Sequence, residues 1–167
     1  MQAIRIHEYG GIEVLKYEEA PIPETRSHDV LIKVHAAGVN PIDWKIRQGY
    51  LKDGVPIQFP FTLGWDVAGV VEAIGGDVDL FETGDHVFAR ADIRRDGSYA
   101  EYVAINETLV ADAPKTLPLK QAAAIPIAAS TAWTALFDVA GLKSGQTILI
   151  HGASGGVGTF AIQLGIV

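Results

Sequence analysis

Thr147-Ile148-Leu149-Ile150-His151-Gly152-Ala153-Ser154-Gly155-Gly156-Val157-Gly158 is the stretch that decides how this chain is read. A run of apolar, largely β-branched residues enters a cluster of four glycines within seven positions. Phe160, Ala161, Ile162 and Leu164 then follow at helical spacing. The pattern predicts a strand over 147–151, a glycine turn and the start of a helix. Against a dinucleotide fingerprint, Ala153, Gly155 and Gly158 take the three glycine places, giving Ala-x-Gly-x-x-Gly. The N–H groups at a helix N-terminus can bind a pyrophosphate if the backbone comes close to it, and side chains at 155 and 158 would block that approach. Glycine-rich turns also serve tight packing alone. The strand before and the helix after favour nucleotide binding.

Upstream of this stretch, from Pro118, the chain is alanine-rich and helical in propensity over 119–125 and 127–140, interrupted at Pro126 and closed by Gly141. Before about Ala111 the texture is that of short strands and turns. Residues 3–7 and 14–17 flank Tyr9-Gly10-Gly11 as a hairpin, and Pro21-Ile22-Pro23 is fit only for an edge or loop. Residues 30–37, 66–74, 86–89 and 98–104 read as further strands, with Gly69 predicting a bulge or a close backbone approach. Asn40-Pro41-Ile42-Asp43-Trp44-Lys45-Ile46-Arg47 reads as a short helix with an N-cap and an early proline. Residues 49–64 are expected to form a long loop. So many short strands suggest a barrel or sandwich, with a domain boundary near 112–118.

The totals narrow the function classes. The 167 residues are 49% hydrophobic and 20% charged, an ordinary globular balance. A formal net charge of -7 opposes binding to nucleic acid or to an anionic membrane surface, which needs clustered Lys and Arg. No cysteine is present, so neither a disulfide frame nor a thiolate zinc site can form. The chain has no apolar run near the ~20 residues that span a bilayer, and its first residues lack a signal-peptide pattern. The expected location is cytoplasmic.

Gly145-Gln146-x-x-Leu149-x-x-x-Ala153-Ser154-Gly155-Gly156-x-Gly158-x-x-x-x-Gln163 resembles the quinone oxidoreductase signature of the medium-chain dehydrogenase/reductase superfamily. Further matches are Ala36-Ala37-Gly38-Val39-Asn40-Pro41-Ile42-Asp43, Leu63-Gly64-Trp65-Asp66-Val67-Ala68-Gly69, Gly84-Asp85-His86-Val87 and Tyr99-Ala100-Glu101-Tyr102-Val103. The resemblance implies a mixed fold: a GroES-like β-barrel substrate domain over 1–115, then the first, incomplete part of an α/β Rossmann domain over 116–167. It also implies NADP(H) as cofactor, with NAD(H) not excluded, and hydride transfer to a quinone or α,β-unsaturated carbonyl. Relatives commonly dimerise, so a homodimer is a further implication.

The zinc-dependent branch of that superfamily has a cysteine where Asn40 stands and a histidine where Trp65 stands. An amide and an indole cannot replace thiolate and imidazole, and His7, His28, His35, His86 and His151 are scattered singly, so no metal is expected. Members of the family continue well beyond the length seen here and carry a basic residue or serine where Ile166 stands. The expectation is therefore a piece of a longer enzyme, with a non-catalytic GroES-like binding or assembly module as the alternative.

The resemblance also nominates site residues. Asn40 matches an asparagine near nicotinamide and substrate, and a helix N-cap is its other reading. Tyr50, following Gln48-Gly49, stands close to a tyrosine that donates a proton in related enoyl reductases. Lys45 occupies the place of a cofactor-contacting tyrosine, and a solvated helix lysine is its other reading. Thr131 matches a threonine at the nicotinamide end, against a helical threonine bonding back to its own turn. The glycine loop, Ala153, Ser154, Gly155, Gly156, Val157 and Gly158, is the expected pyrophosphate site. Trp44, Trp65 and Trp133 are read as core or pocket wall.

Overall fold

A computed structural model describes residues 1–166, which fall into two compact units, Met1–Ala124 and a second from Ile125 onward. The first unit is built of short antiparallel strands. β1 (Gln2–Ile6) pairs with β2 (Lys16–Glu19), as the alternating sequence on either side of the Gly10-Gly11 turn predicts, and β4 (Phe61–Thr62) lies on its other side. A second sheet runs in the order β7 (Tyr102–Asn106), β3 (Asp29–Gly38), β5 (Asp66–Ile74), β6 (His86–Arg90), β8 (Val110–Asp112). The two sheets meet where Ala3 bridges Ala100 and the Ile4 N–H donates to the Tyr99 carbonyl at 2.7 Å. That junction takes the place of part of the strand expected over 98–104. Its first residues leave the ladder of β7 to join β1.

The core lies along the inner face of β3 and its neighbours, where Val30, Ile32, Val67, Val71, Val87 and Val103 are buried. β-branched residues suit this pleated, closely covered surface. β3 and β5 slip register at His35, which is left unopposed between the pairs Val34–Gly69 and Ala36–Ala68. Gly69 is required there: a Cβ would run into the Lys33 carbonyl oxygen across the ladder. A bidentate ion pair, Arg95 Nη1 and Nη2 to Asp29 Oδ1 and Oδ2 at 2.9 and 2.6 Å, ties the loop before β7 to the start of β3. Those hydrogen bonds hold the Asp29 carboxyl below the usual carboxylate range, against the opposing effect of burial.

α1 (Pro41–Arg47) follows β3 directly, with Asn40 extended at its N-cap and Pro41 at its first turn. Pro118 precedes a single turn, α2 (Leu119–Ala122), whose Ala122 and neighbouring Ala123 pack on Ala68 of β5.

In the second unit α3 (Pro126–Trp133) packs against α4 (Gly156–Ile166), and Ala128, Ala132 and Ala161 are buried. α3 widens into a π-helical stretch over Thr134–Val139 rather than running on as an α-helix to 140. Gly141, at φ +61°, ends it in the left-handed region. The strand expected at 147–151 does not form: none of these residues has a ladder partner among the described residues. The pattern is strand-like, but a strand is completed by a neighbour that takes its N–H and C=O groups, and here Leu149 remains 82% exposed. Ile148 instead rests against Gly165 of α4.

Candidate functional site

In the first unit a cavity of about 490 Å³ lies beside α1. Ile4, Leu15, Val39, Leu63 and Trp44 give it apolar walls, and Asn40, Asp43, Arg47 and Tyr99 supply its polar groups. α1 presents Asn40, Asp43, Trp44 and Arg47 to one side because they recur at spacings of three to four along the helix. Asp43 is buried, and its Oδ2 accepts from the Asn40 N–H at 2.6 Å and from the Tyr99 hydroxyl at 2.7 Å. Its Oδ1 is buried without a partner. Burial pushes the Asp43 carboxyl up, more than the two hydrogen bonds lower it. Burial, the bond to Asp43 and the nearby carboxylates push the Tyr99 hydroxyl far up as well, so it remains a protonated donor.

Asn40 does more than cap α1. Its side-chain Nδ2 donates to Asp66 Oδ2 at 2.8 Å, across to the first residue of β5. Lys45 is exposed, with Nζ 5.7 Å from the centre of the Trp44 ring. Tyr50 is 68% exposed and stands edge-on to Trp44, ring centres 5.8 Å apart. Asn40 and Trp44 thus share the cavity wall, and Lys45 and Tyr50, both exposed, lie beside the same tryptophan. Asp43, Asp66 and Tyr99 were not singled out by sequence reasoning. The one signal was Asp43, three residues after an N-cap asparagine, at capping-box spacing. Trp65 is fully buried with its ring 6.4 Å from Phe61, as core.

The remaining expected residues lie in the second unit. Thr131 is exposed and its Oγ1 donates to the Ile127 carbonyl at 2.6 Å, the local bond open to any helical threonine. The loop 151–155 turns on Gly152, at φ +67°, into α4. The Gly155 N–H donates to the Gly152 carbonyl at 3.0 Å, and the Thr159 N–H to the Gly155 carbonyl at 2.9 Å. Being in the first turn, Gly156, Val157 and Gly158 have no carbonyl four residues back within α4 to receive their N–H groups. The glycines differ in what they serve. A Cβ on Gly158 would collide with the Gly152 carbonyl and the Ala153 backbone, so Gly158 closes the turn itself. A Cβ on Gly155 would meet nothing nearer than 3.4 Å, and one on Gly156 nothing nearer than 3.8 Å. Among the described residues no contact requires glycine at 155 or 156. This open side of the turn, with N–H groups at its edge, fits a phosphate-bearing ligand.

Residues 26–115 match the family model for the alcohol dehydrogenase GroES-like domain. The chain belongs to this family. Among curated relatives of this GroES-like chain, the human quinone oxidoreductase is 46% identical over 166 residues, covering 98% of the chain and 49% of the relative. The chloroplastic quinone-oxidoreductase homologue of Spinacia oleracea is 43% identical over 170 residues, covering 98% and 52%. An alcohol dehydrogenase superfamily protein from Novosphingobium aromaticivorans superposes with a TM-score of 0.91 at 38% identity, over 99% of this chain and 50% of that one. The mycobacterial Rv1454c, solved in complex with NADPH, superposes with a TM-score of 0.87 at 35% identity, over 98% and 49%. The resemblance to the medium-chain dehydrogenase/reductase superfamily and its quinone oxidoreductases therefore holds across the chain, and so does the mixed fold class. The chain spans about half the length of the curated relatives it matches. No helix among the described residues is long and apolar enough to cross a membrane.

Proposed function

We propose that this chain is the N-terminal part of an NADP(H)-dependent, zinc-independent oxidoreductase that reduces a quinone or another α,β-unsaturated carbonyl. The observation that carries the reading is the 46% identity to a quinone oxidoreductase across 98% of the chain. In this reading residues 1–115 form the substrate domain and 116–167 begin the dinucleotide-binding domain of a longer, cytoplasmic polypeptide, which pairs as a homodimer.

The nicotinamide supplies the hydride when bound. The chain's own residues bind, orient and exclude water. Ala153, Ser154, Gly155, Gly156, Val157 and Gly158 receive the pyrophosphate. The room at Gly155, where among the described residues a Cβ would meet only the Gly152 carbonyl oxygen at 3.4 Å, supports this. Thr131 and Lys45 contact the cofactor toward its nicotinamide end. Asn40 orients the reacting groups at a cavity with largely apolar walls. Tyr50, exposed and edge-on to Trp44, is the proton donor at Oη in this reading. The commitment of the Asn40 amide to Asp66 and the burial of Trp65 support a site that works without zinc, because the zinc-binding branch needs a thiolate and an imidazole at those two places.

The test has two readings from one preparation of the natural polypeptide. Intact mass should be about twice the 17.8 kDa of this chain, as a second domain of typical size would give. NADPH oxidation should then depend on added 1,4-naphthoquinone or an enone. A folded protein of full mass that oxidises NADPH with neither acceptor would sink the enzyme reading and favour a non-catalytic GroES-like module.

A further inference from the structure

A guanidinium carries five N–H donors and no acceptor. At Arg47 one of them is used within the protein: Nε donates to the Gly10 carbonyl at 3.4 Å, a long bond, while the Arg47 carbonyl receives the Gly10 N–H at 2.9 Å. Neither terminal nitrogen has a hydrogen-bond or ion-pair partner among the described residues, and neither is a buried atom, so both can be reached from outside. The partner that the helix would offer is engaged elsewhere. Asp43 stands four residues earlier on α1, the spacing at which a carboxylate and a guanidinium meet on one helix face. Its Oδ2 instead accepts from the Asn40 N–H at 2.6 Å and the Tyr99 hydroxyl at 2.7 Å. Arg47 lines the same cavity as Asp43 and Tyr99. Of the influences on the Tyr99 hydroxyl, led by burial, the Arg47 charge is the one that draws it down. Glu13, lowered chiefly by backbone hydrogen bonds and last by the Arg47 charge, is exposed and accepts the Gly11 N–H. The rest of the wall includes Ile4, Leu15, Val39 and Leu63. A cation with open donors thus borders an otherwise largely apolar cavity of about 490 Å³, a size usual for small-molecule sites.

We propose that Arg47 makes this cavity a site for flat, largely apolar anions, its terminal N–H groups meeting a carboxylate or an ionised enol oxygen on a fused-ring ligand. The inference rests on the oxidoreductase reading only for calling that ligand a substrate. An aromatic carboxylate and the anion of a hydroxyquinone share the required chemistry: a planar apolar body for the walls, and a charged oxygen that a guanidinium bonds more strongly than it bonds a neutral one. A phosphate, which calls for several donors, is poorly served by one guanidinium between apolar walls.

The test compares anions with neutral ligands of the same shape, on the natural polypeptide without NADPH, followed by NMR with 15N-labelled protein at neutral pH. 2-Naphthoate is titrated against 2-naphthamide, and 2-hydroxy-1,4-naphthoquinone, ionised at that pH, against 2-methoxy-1,4-naphthoquinone. In at least one pair the anion should bind about tenfold tighter, the worth of one charge-assisted hydrogen bond at a half-buried site. The pair that discriminates identifies the source of the charged oxygen. The preference should shrink as salt is added, and the anion should shift the Arg47 Nε–H signal, which is identified by its loss in Arg47→Met. Arg47→Met keeps most of the apolar stem and should abolish the preference, whereas Arg47→Lys, which keeps the charge without the fork, should retain part of it. Equal binding within both pairs, as would follow if the Asp43 carboxylate cancelled the guanidinium, overturns the proposal. So does a preference that survives in a folded Arg47→Met variant. If that variant does not fold, the wild-type comparison alone decides. No turnover is read. Loss of the preference breaks this inference and leaves the oxidoreductase reading intact, whereas failure of NADPH-dependent reduction does the reverse.

Discussion

The two units of this chain carry similar apolar sequence and use it differently. In the first, Val30-Leu31-Ile32 enters β3, finds β5 on one side and β7 on the other, and is buried to the last residue. In the second, Thr147-Ile148-Leu149-Ile150 has the same β-branched character, finds no partner strand among the described residues, and leaves Leu149 in solvent. Period and propensity are alike in the two runs. The difference is whether other segments of the same chain arrive to complete the ladder, which shows that a strand is a property of its neighbours as much as of its own residues.

That contrast can be pressed hardest at Trp65. Trp65→Ala empties the fully buried centre of the first unit and should cost about 4 kcal/mol in urea unfolding. A cost below that of an ordinary surface change would mean that the first unit is not the better packed one.

Next in size is the ion pair at the start of β3. Arg95→Met strands the buried Asp29 carboxylate and should cost about 3 kcal/mol at neutral pH. The folded Asp29 titrates below its unfolded value, so the pair's contribution is present above the unfolded carboxylate range and is lost as pH falls through the folded value. The variant should therefore approach wild-type stability in acid. Asp43, raised by burial, acts with the opposite sign: its contribution is present in acid and is lost as pH rises through its folded value. Unfolding curves for wild type and Arg95→Met at neutral and acid pH test this. A penalty independent of pH would show that Arg95 acts through packing alone.

In the second unit the same logic separates two glycines. Gly158→Ala pushes a methyl into the Gly152 carbonyl and should cost about 2 kcal/mol locally, read as faster amide exchange along α4. Gly155→Ala should leave exchange unchanged within about 0.5 kcal/mol and, in the natural polypeptide, weaken NADPH binding. Equal effects of the two on exchange would refute the division of labour between closing the turn and admitting a ligand. The smallest effect is expected at Leu149, where Leu149→Ser in the 167-residue chain should change stability by less than about 0.5 kcal/mol. A larger loss would mean that Leu149 is covered in solution.

Much of the first unit was legible because its signals are local. The run 66–74 became β5 at the expected bounds, Gly69 marked the close approach to Lys33, and Asn40-Pro41 opened a helix. The second unit was less so, because the unpaired run at 147–150 and the widening of α3 after Trp133 depend on what surrounds them. In the site, Asn40 could be found from its motif and its place at a helix start. Its partners could not: Asp66 is 26 residues away, and Tyr99 reaches Asp43 across 56 residues. Separations of that size leave no periodic trace in a sequence, and only the folded sheet brings the groups together. The clustering of Lys45 and Tyr50 around Trp44 lies between these cases, being set by one turn of α1 and the loop that follows it.

The unopposed residue at His35 gives β3 one residue more than β5 between the pairs Val34–Gly69 and Ala36–Ala68. Deleting His35 would let the ladder run straight with Ala36 still opposite Ala68 and Gly38 still opposite Asp66, so that Asn40 would keep its place against Asp66. This strand should therefore accept changes of side chain at His35, which is exposed, and even the loss of that residue. The spare residue works as slack, and the site at the end of the strand is held by the pairs that follow it.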